Sequence, residues 1–485
     1  MSVVLLSTYE LGRQPFGLAS PAAWLRRAGF DVLAQDLSRQ RLDDPAVRAA
    51  DVIAFYMPMH TATRLALPVV DRVRHLNPAA RLCAFGLYAP PNAGVLRQHG
   101  VAATFGAEFE ADLVAYVRGG GDPAPAVFSA EPVADPAASA NHDGPATGSA
   151  GPDLRGESGR AHSTPSIARL EFVVPDRAGL PELARYASLQ RGDVRTVVGY
   201  TEASRGCLSL CRHCPVVPVY RGQFRVVPTD VVLADIRNQI AAGAAHITFG
   251  DPDFFNGPTH ARRVVTALHE AYPSITYDVT IKIEHLLRHQ SLLDVLRETG
   301  CLFVTTAAES FDDRVLAALD KGHAAADIDR AVTLCRQHGL DVMPTFVPFT
   351  PWTTLESYID LLAGIRRLSL IDHVAPIQLG IRLLIPGGSR LLELPDVRGM
   401  IGPFDPTALA HPWVHHDGRI DVLQREVVET VGRHVGASRA DLFGSVWQLA
   451  CEVAGVDPAA GSCPSVPDSG YQRTSVPFLN EPWYC

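Results

Sequence analysis

Three cysteines, Cys207, Cys211 and Cys214, fall within eight residues in a C-x-x-x-C-x-x-C spacing, directly after the apolar run 197–200. The surrounding stretch, 200–224, reads YTEASRGCLSLCRHCPVVPVYRGQF. A disulfide would pair two of these thiols and strand the third, and no signal peptide points to an oxidising compartment. Zinc would want four tetrahedral ligands, and His213 is the one further Cys or His at ribbon spacing nearby. An iron–sulfur cluster normally takes four thiolates, so three leave one iron open to an exogenous ligand. A structural zinc loop and three unconnected core thiols stand as the blander readings.

Length and composition narrow the class. A chain of 485 residues suggests two or three domains and a large core. Hydrophobic residues make up 47% and the net charge is −9, with no dominant basic patch, so a nucleic-acid partner is not expected. No apolar run approaches the 18 residues of a membrane span, and the start MSVVLLSTYE lacks the basic region of a secretion signal. Nine cysteines, an odd number in no disulfide-like pattern, fit a reducing cytoplasm.

From the start, apolar runs at 2–7, 30–34, 51–56 and 81–85 alternate with helical patterns at 21–28, 62–76 and 109–117. Continuous apolar strands between helices predict an α/β domain, a doubly wound parallel sheet, over 1–118. Ligands in such sheets sit at strand C-termini, here Thr8, Tyr9, 57–61 and 86–90. Residues 119–166 are rich in Gly, Ala, Pro, Ser and Asp and read as a disordered linker. Over 167–390, a short helix at 180–189 leads into six strands at 195–202, 246–249, 277–283, 302–307, 342–349 and 377–385, with helices between them. That is a partial TIM-type barrel whose site collects at the strand C-termini. Residues 391–485 form an extension expected to cover the open side, with helices at 423–435 and 440–454 and Ser438 placed to cap the second.

The triad, with His213 immediately before its third cysteine, resembles the cluster loop of radical S-adenosylmethionine (SAM) enzymes. The resemblance implies a 4Fe–4S cluster on Cys207, Cys211 and Cys214, whose open iron chelates SAM and whose electron cleaves a C–S bond. It also implies a small-molecule substrate and an electron donor such as a flavodoxin or ferredoxin. The N-terminal unit resembles the cobalamin-binding domain that precedes the barrel in many such proteins. The D-x-H-x-x-G motif of some of those domains is absent, the equivalent loop reading TYELGRQ, and His60 is the only imidazole nearby. A cobalamin site and a scaffold or substrate gate are both open readings.

The strand ends carry the remaining candidates. GDPDFFN (250–256) matches in position the Gly-Gly-Glu segment that holds the SAM amino group. Gly250 lets the backbone come close, and Asp251 and Asp253 are acceptors, unless they merely close an Asx-turn. Lys282, in TIKIEH, is costly in an apolar strand unless paired, so it is expected at the barrel mouth. AAES supplies Glu309 and Ser310, close to the family's Glu-Ser pair at the SAM ribose and carboxylate. Thr345 in PTFVPFTPW is a further SAM contact, and Arg382 in GIRLLIP is either a carboxylate clamp or a barrel-end ion pair. Cys83, Cys301 and Cys335 read as core thiols. Cys451, Cys463 and Cys485 read either as ordinary thiols or as a redox or ligand-binding tail.

RGCLSLCRHCPVVPVYRGQFRVVP, HITFGDPDFFNGPTHA and VPFLNEPWYC together resemble the CUAEP/CCAEP-tail radical SAM (seleno)proteins. In that family the tail runs on through a second Cys or a selenocysteine into Ala-Glu-Pro. The resemblance implies that a UGA codon follows Cys485. The function expected is reductive SAM cleavage that modifies a small molecule by radical chemistry. Methyl transfer and 3-amino-3-carboxypropyl transfer, the latter to a soft element such as arsenic, are alternatives. The non-enzyme alternative is an iron–sulfur or cobalamin redox sensor.

Overall fold

The computed structural model describes residues 1–119, 170–433, 437–458 and 478–479. The expected linker therefore lies outside the described residues apart from Gly119, as do Cys463, Cys485 and most of the tail motif.

The first unit holds five parallel strands, β1 (Ser2–Ser7), β2 (Asp31–Asp36), β3 (Val52–Tyr56), β4 (Arg81–Phe85) and β5 (Ala103–Phe105), in the order β2-β1-β3-β4-β5. Successive side chains of a strand face opposite ways. Accordingly Val3 and Leu5 pack into one core with Leu18, Leu25 and Leu113, while Val4 and Leu6 pack into another with Val70 and Val73. Burial on both faces explains the uninterrupted apolar runs. The three-residue β5 was too short to be read from sequence. The chain order reverses at β1, which opens a crevice at the strand C-termini.

The second sheet has the order β13-β12-β11-β10-β7-β6-β14. Its parallel part is β7 (Val194–Thr201), β10 (His246–Phe249), β11 (Thr276–Thr280), β12 (Cys301–Glu309) and β13 (Asp341–Phe346). The helices Thr229–Ala241, Pro258–Ala271, Ala325–Gln337 and Leu355–Arg367 share one core cluster with these strands. The sheet is a curled half-barrel.

Several sequence expectations need correction here. The short helix expected at 180–189 is a single 3-10 turn, Leu183–Arg185, followed by β6 (Ser188–Arg191), which pairs antiparallel with β7. The sixth strand does not form. Pro376–Leu379 is a 3-10 turn, and the segment then meets the sheet in one bridge, Phe349 to Arg382. Arg382 is instead drawn sideways into the C-terminal extension, as described below. The strand carrying Lys282 stops at Thr280, so Lys282 precedes the helix Ile283–Arg288.

The extension contains the helices Gly418–Arg433 and Arg439–Ala454, the second capped by Ser438, whose Oγ accepts from Asp441 N at 3.1 Å. A two-residue strand, β14 (Phe478–Leu479), pairs antiparallel with β6. No described helix is long and apolar enough to cross a membrane.

Polar bonds fasten the two units together. Arg177 donates to Gln14 Oε1 at 2.9 Å, to the Tyr200 carbonyl at 2.7 Å and to both carboxylate oxygens of Asp235. Gln14 donates in turn to the Pro181 carbonyl at 2.8 Å.

Candidate active site

β7 delivers the chain into a hairpin that the sequence pattern does not announce. β8 (Ser204–Gly206) pairs antiparallel with β9 (Phe224–Val226), so the cysteine loop is closed at its neck. Gly206 has φ +76°, and a Cβ there would lie 2.4 Å from both the Gln223 carbonyl oxygen and the Tyr220 ring. Only glycine fits this neck.

Cys207 and Cys211 are buried and Cys214 is half-buried. The loop is braced from the segment after β10. Asn256 Oδ1 accepts from Leu208 N at 3.2 Å and lies 3.8 Å from Cys207 Sγ, while Ser209 N points at the same sulfur from 3.4 Å. Burial pushes the Cys211 thiol up, against the pull of Lys321 and Lys282. Cys214 is pushed up to about 12 by burial and by the two neighbouring cysteines.

Around the loop lies a compact set of charges. Glu309 ends β12 with φ +64°, at a register shift in the β12–β13 ladder. Its Oε1 lies 3.0 Å from Lys321 Nζ and 3.1 Å from His213 Nε2. Burial works against its charge, but the Lys321 ammonium and His213 hold it well below the usual carboxylate range. Lys282 donates to Ser209 Oγ at 2.7 Å, beside the cysteine loop.

The other candidates divide. A Cβ on Gly250 would overlap the Tyr200 hydroxyl at 1.9 Å, so glycine is required there by the barrel wall. Asp251 spends its carboxylate on Ser204 Oγ (2.5 Å) and Ala203 N (2.9 Å), and burial raises it to about 6. Asp253 is fully buried, with Oδ2 2.6 Å from His285 Nδ1 and Oδ1 accepting from Phe255 N. Both aspartates brace the backbone next to the site. Ser310 Oγ accepts from Asp312 N at 3.0 Å. Thr345 lies on β13 opposite Ala307. Arg382 donates to Asp421 (2.6 Å) and to the Trp413 carbonyl (2.8 Å), and stacks on the Trp413 ring at 3.5 Å. It is the barrel-end ion pair of the two readings. Cys83, Cys301, Cys335 and Cys451 are buried core thiols.

Sequence reasoning missed Lys321, Asn256, Arg205, Glu202 and Glu10. Lys321 sits in FDDRVLAALDKGH, where nothing local shows that it is 4% exposed.

Among the described residues no three His, Cys, Asp or Glu side chains gather as they would around one metal ion. A cluster site is wider than that, because each thiolate binds a different iron. The donor set suits such a group: three thiols on one closed loop, with Lys282 and Lys321 nearby to balance thiolate charge.

Residues 201–362 match the radical SAM superfamily model. The chain carries a radical SAM domain. That fold implies a 4Fe–4S cluster and SAM. A tRNA-2-methylthio-N(6)-dimethylallyladenosine synthase of Shewanella baltica is 23% identical over 218 residues, which is 43% of this chain and 45% of that enzyme. The chain thus spans under half the length of this relative. Beyond the radical SAM domain the likeness is one of fold. The cobalamin-dependent SAM radical enzyme OxsB with aqua-cobalamin bound superposes with a TM-score of 0.64 at 12% identity, covering 93% of this chain and 71% of that one. TsrM, a radical SAM methyltransferase from Kitasatospora setae solved with tryptophan and a SAM analogue, gives 0.56 at 16% identity over 76% of this chain and 71% of that one.

Proposed function

We propose that the protein reductively cleaves SAM at a 4Fe–4S cluster held by Cys207, Cys211 and Cys214 and uses the resulting radical on a small molecule. The observation that carries this reading is the closed three-thiol loop at the end of β7, with the Glu309–Lys321–His213 cluster beside it. The cofactor supplies the electron and the radical; the protein positions them. Lys282 offers a cation for the SAM carboxylate, and Glu309 offers an acceptor for ribose hydroxyls or the amino group. Ser310, Thr345 and the Gly250 backbone line the same strand ends. Asp251 and Asp253 hold the wall. An electron donor of the flavodoxin or ferredoxin kind and a reducing cytoplasm complete the reading. The net charge of −9 favours a small molecule over nucleic acid as substrate.

A second reading, cobalamin-dependent methyl transfer, draws on the cavity of about 210 Å³ between the N-terminal strand ends and the barrel. Its wall carries no imidazole, and His60 is turned away to within 2.6 Å of the Ala408 carbonyl. Cobalamin bound there would find no imidazole among the lining residues to offer cobalt.

The finer assignment to the CUAEP/CCAEP-tail proteins stays with the quoted motifs, and the codon after Cys485 tests it. The reaction is tested by anaerobic reconstitution with iron and sulfide, then SAM and a reductant. 5′-Deoxyadenosine means hydrogen abstraction or its uncoupled form, and methylthioadenosine means aminocarboxypropyl transfer. Intact SAM from cluster-loaded protein overturns the enzyme reading.

A further inference from the structure

Asn256 ends the 3-10 turn Phe254–Asn256 after β10 and is 6% exposed. Its Oδ1 is committed to the cysteine loop, accepting from Leu208 N at 3.2 Å and lying 3.8 Å from Cys207 Sγ. Its Nδ2 is buried and has no hydrogen-bond partner. The Leu208 N–H fixes which way the amide faces, because only the oxygen can accept from it. The unpartnered half is therefore a donor, held beside the loop of thiols. The two aspartates of the same segment differ: Asp251 is engaged by Ser204 and Ala203, and Asp253 by Phe255 with His285 close by. A buried donor without an acceptor costs free energy until one arrives.

The geometry points to Asn256 as a hydrogen-bond donor, through Nδ2, to a sulfur of the cluster on its Cys207 side. This rests on the cluster reading proposed above. Cys207 Sγ already faces Ser209 N at 3.4 Å, so the sulfur at this corner is an acceptor once the thiol has given up its proton to bind iron. Phe254 and Phe255, next to Asn256 in the chain, are buried and apolar and offer the amide no side-chain acceptor. The two cations of the site are engaged elsewhere, Lys282 with Ser209 and Lys321 with Glu309. Reduction adds one electron to a cluster, and a donor aimed at its sulfur stabilises the added charge. Asn256 then has two tasks on one amide. Its oxygen braces the loop, and its nitrogen sets how readily the cluster accepts the electron that SAM cleavage needs.

The test uses the full chain, carrying asparagine labelled with nitrogen-15 in the side-chain amide, reconstituted anaerobically with iron and sulfide and reduced without SAM. Pulsed electron paramagnetic resonance of the reduced cluster should show coupling to the label. Asn256→Asp keeps an acceptor for Leu208 N and removes the donor, so iron content should hold while the coupling vanishes. Asn256→Ser, which adds no charge, should lose the coupling as well. At a fixed poise the ratio of reduced to oxidised cluster in Asn256→Asp should fall about tenfold, or ~59 mV for one electron. A new carboxylate lowers the potential from any nearby position, so the label decides and the poise gives the size. A wild-type cluster without coupling, a coupling that survives either substitution, one that appears only after SAM is added, or an unchanged ratio in Asn256→Asp would overturn the assignment and leave the cluster reading standing. A wild-type protein that assembles no cluster brings down both.

Discussion

Arg205 reaches across the seam between the two units and donates from Nη1 to Glu110 Oε1 at 2.7 Å, two residues before the first cysteine. The same guanidinium donates to Ser20 Oγ at 3.1 Å and to Glu202 at 2.9 Å. The N-terminal unit thus grips the neck of the cysteine loop.

Removing that grip should be costly. Arg205→Ala leaves Glu110 and Glu202 buried without their cation, a loss on the order of 3–5 kcal/mol. Urea denaturation should show the loss, and iron content after reconstitution should drop with it. A variant of unchanged midpoint would mean that the carboxylates are already neutral.

Each cysteine of the triad should be needed for the cluster and not for the fold. Alanine at Cys207, Cys211 or Cys214 should abolish the visible cluster absorbance and SAM cleavage, with circular dichroism unchanged. Retained cleavage in any one of them would sink the ligand assignment.

Gly206→Ala should be more damaging than its size suggests. The φ of +76° and the 2.4 Å approach to the Gln223 carbonyl leave no room for a methyl group. The β8–β9 neck would have to open, at a cost of about 1–3 kcal/mol for the backbone alone. Slower, incomplete cluster uptake is the expected readout.

Arg382→Ala separates positioning from catalysis. The Asp421 pair and the Trp413 stack place Arg382 in the fastening of the extension, so stability should fall and the rate of SAM cleavage should hold. A large fall in SAM affinity with unchanged stability would restore the carboxylate-clamp reading.

Glu202 predicts a pH dependence. Burial raises its carboxyl from 4.5 to about 7, with Arg205 opposing and Asp251 adding to the rise. The folded state then holds a proton that the unfolded chain releases. The stability from that proton is fully present below about 4.5 and is lost as pH rises through about 7. Glu202→Gln should flatten the fall in stability between these values, by on the order of 3 kcal/mol at most. Identical profiles for the two proteins would refute it.

What the sequence disclosed follows the range of each signal. Period-two and period-3.6 patterns are local, so the long strands and the helices of both units were legible. β5 and β8 are three residues each, shorter than any such pattern. The sixth strand failed because an apolar run says nothing about a neighbour, and Asp421 and Trp413, which take Arg382 away, come from a distant part of the chain. The triad was legible because its residues are contiguous. Lys321, Glu10 and Arg205 were not, because a charged residue in sequence carries no mark of the burial that gives it a role. Asp251 and Asp253 stand out in the sequence as acidic residues after a strand, yet their neighbours Ser204 and His285 were invisible without the fold.

The N-terminal sheet and the half-barrel present their strand ends to one shared cavity, as two cupped hands would. The loops after β1, β3, β4 and β5 supply one side of it, and the ends of β7 and β10 supply the other. Mutations in the first set can remodel what is held without touching the thiol ligands on the second. Across descendants of such a chain, the choice of ligand and the radical machinery are free to drift at different rates, and chimaeras that exchange residues 1–118 should inherit the first while keeping the second.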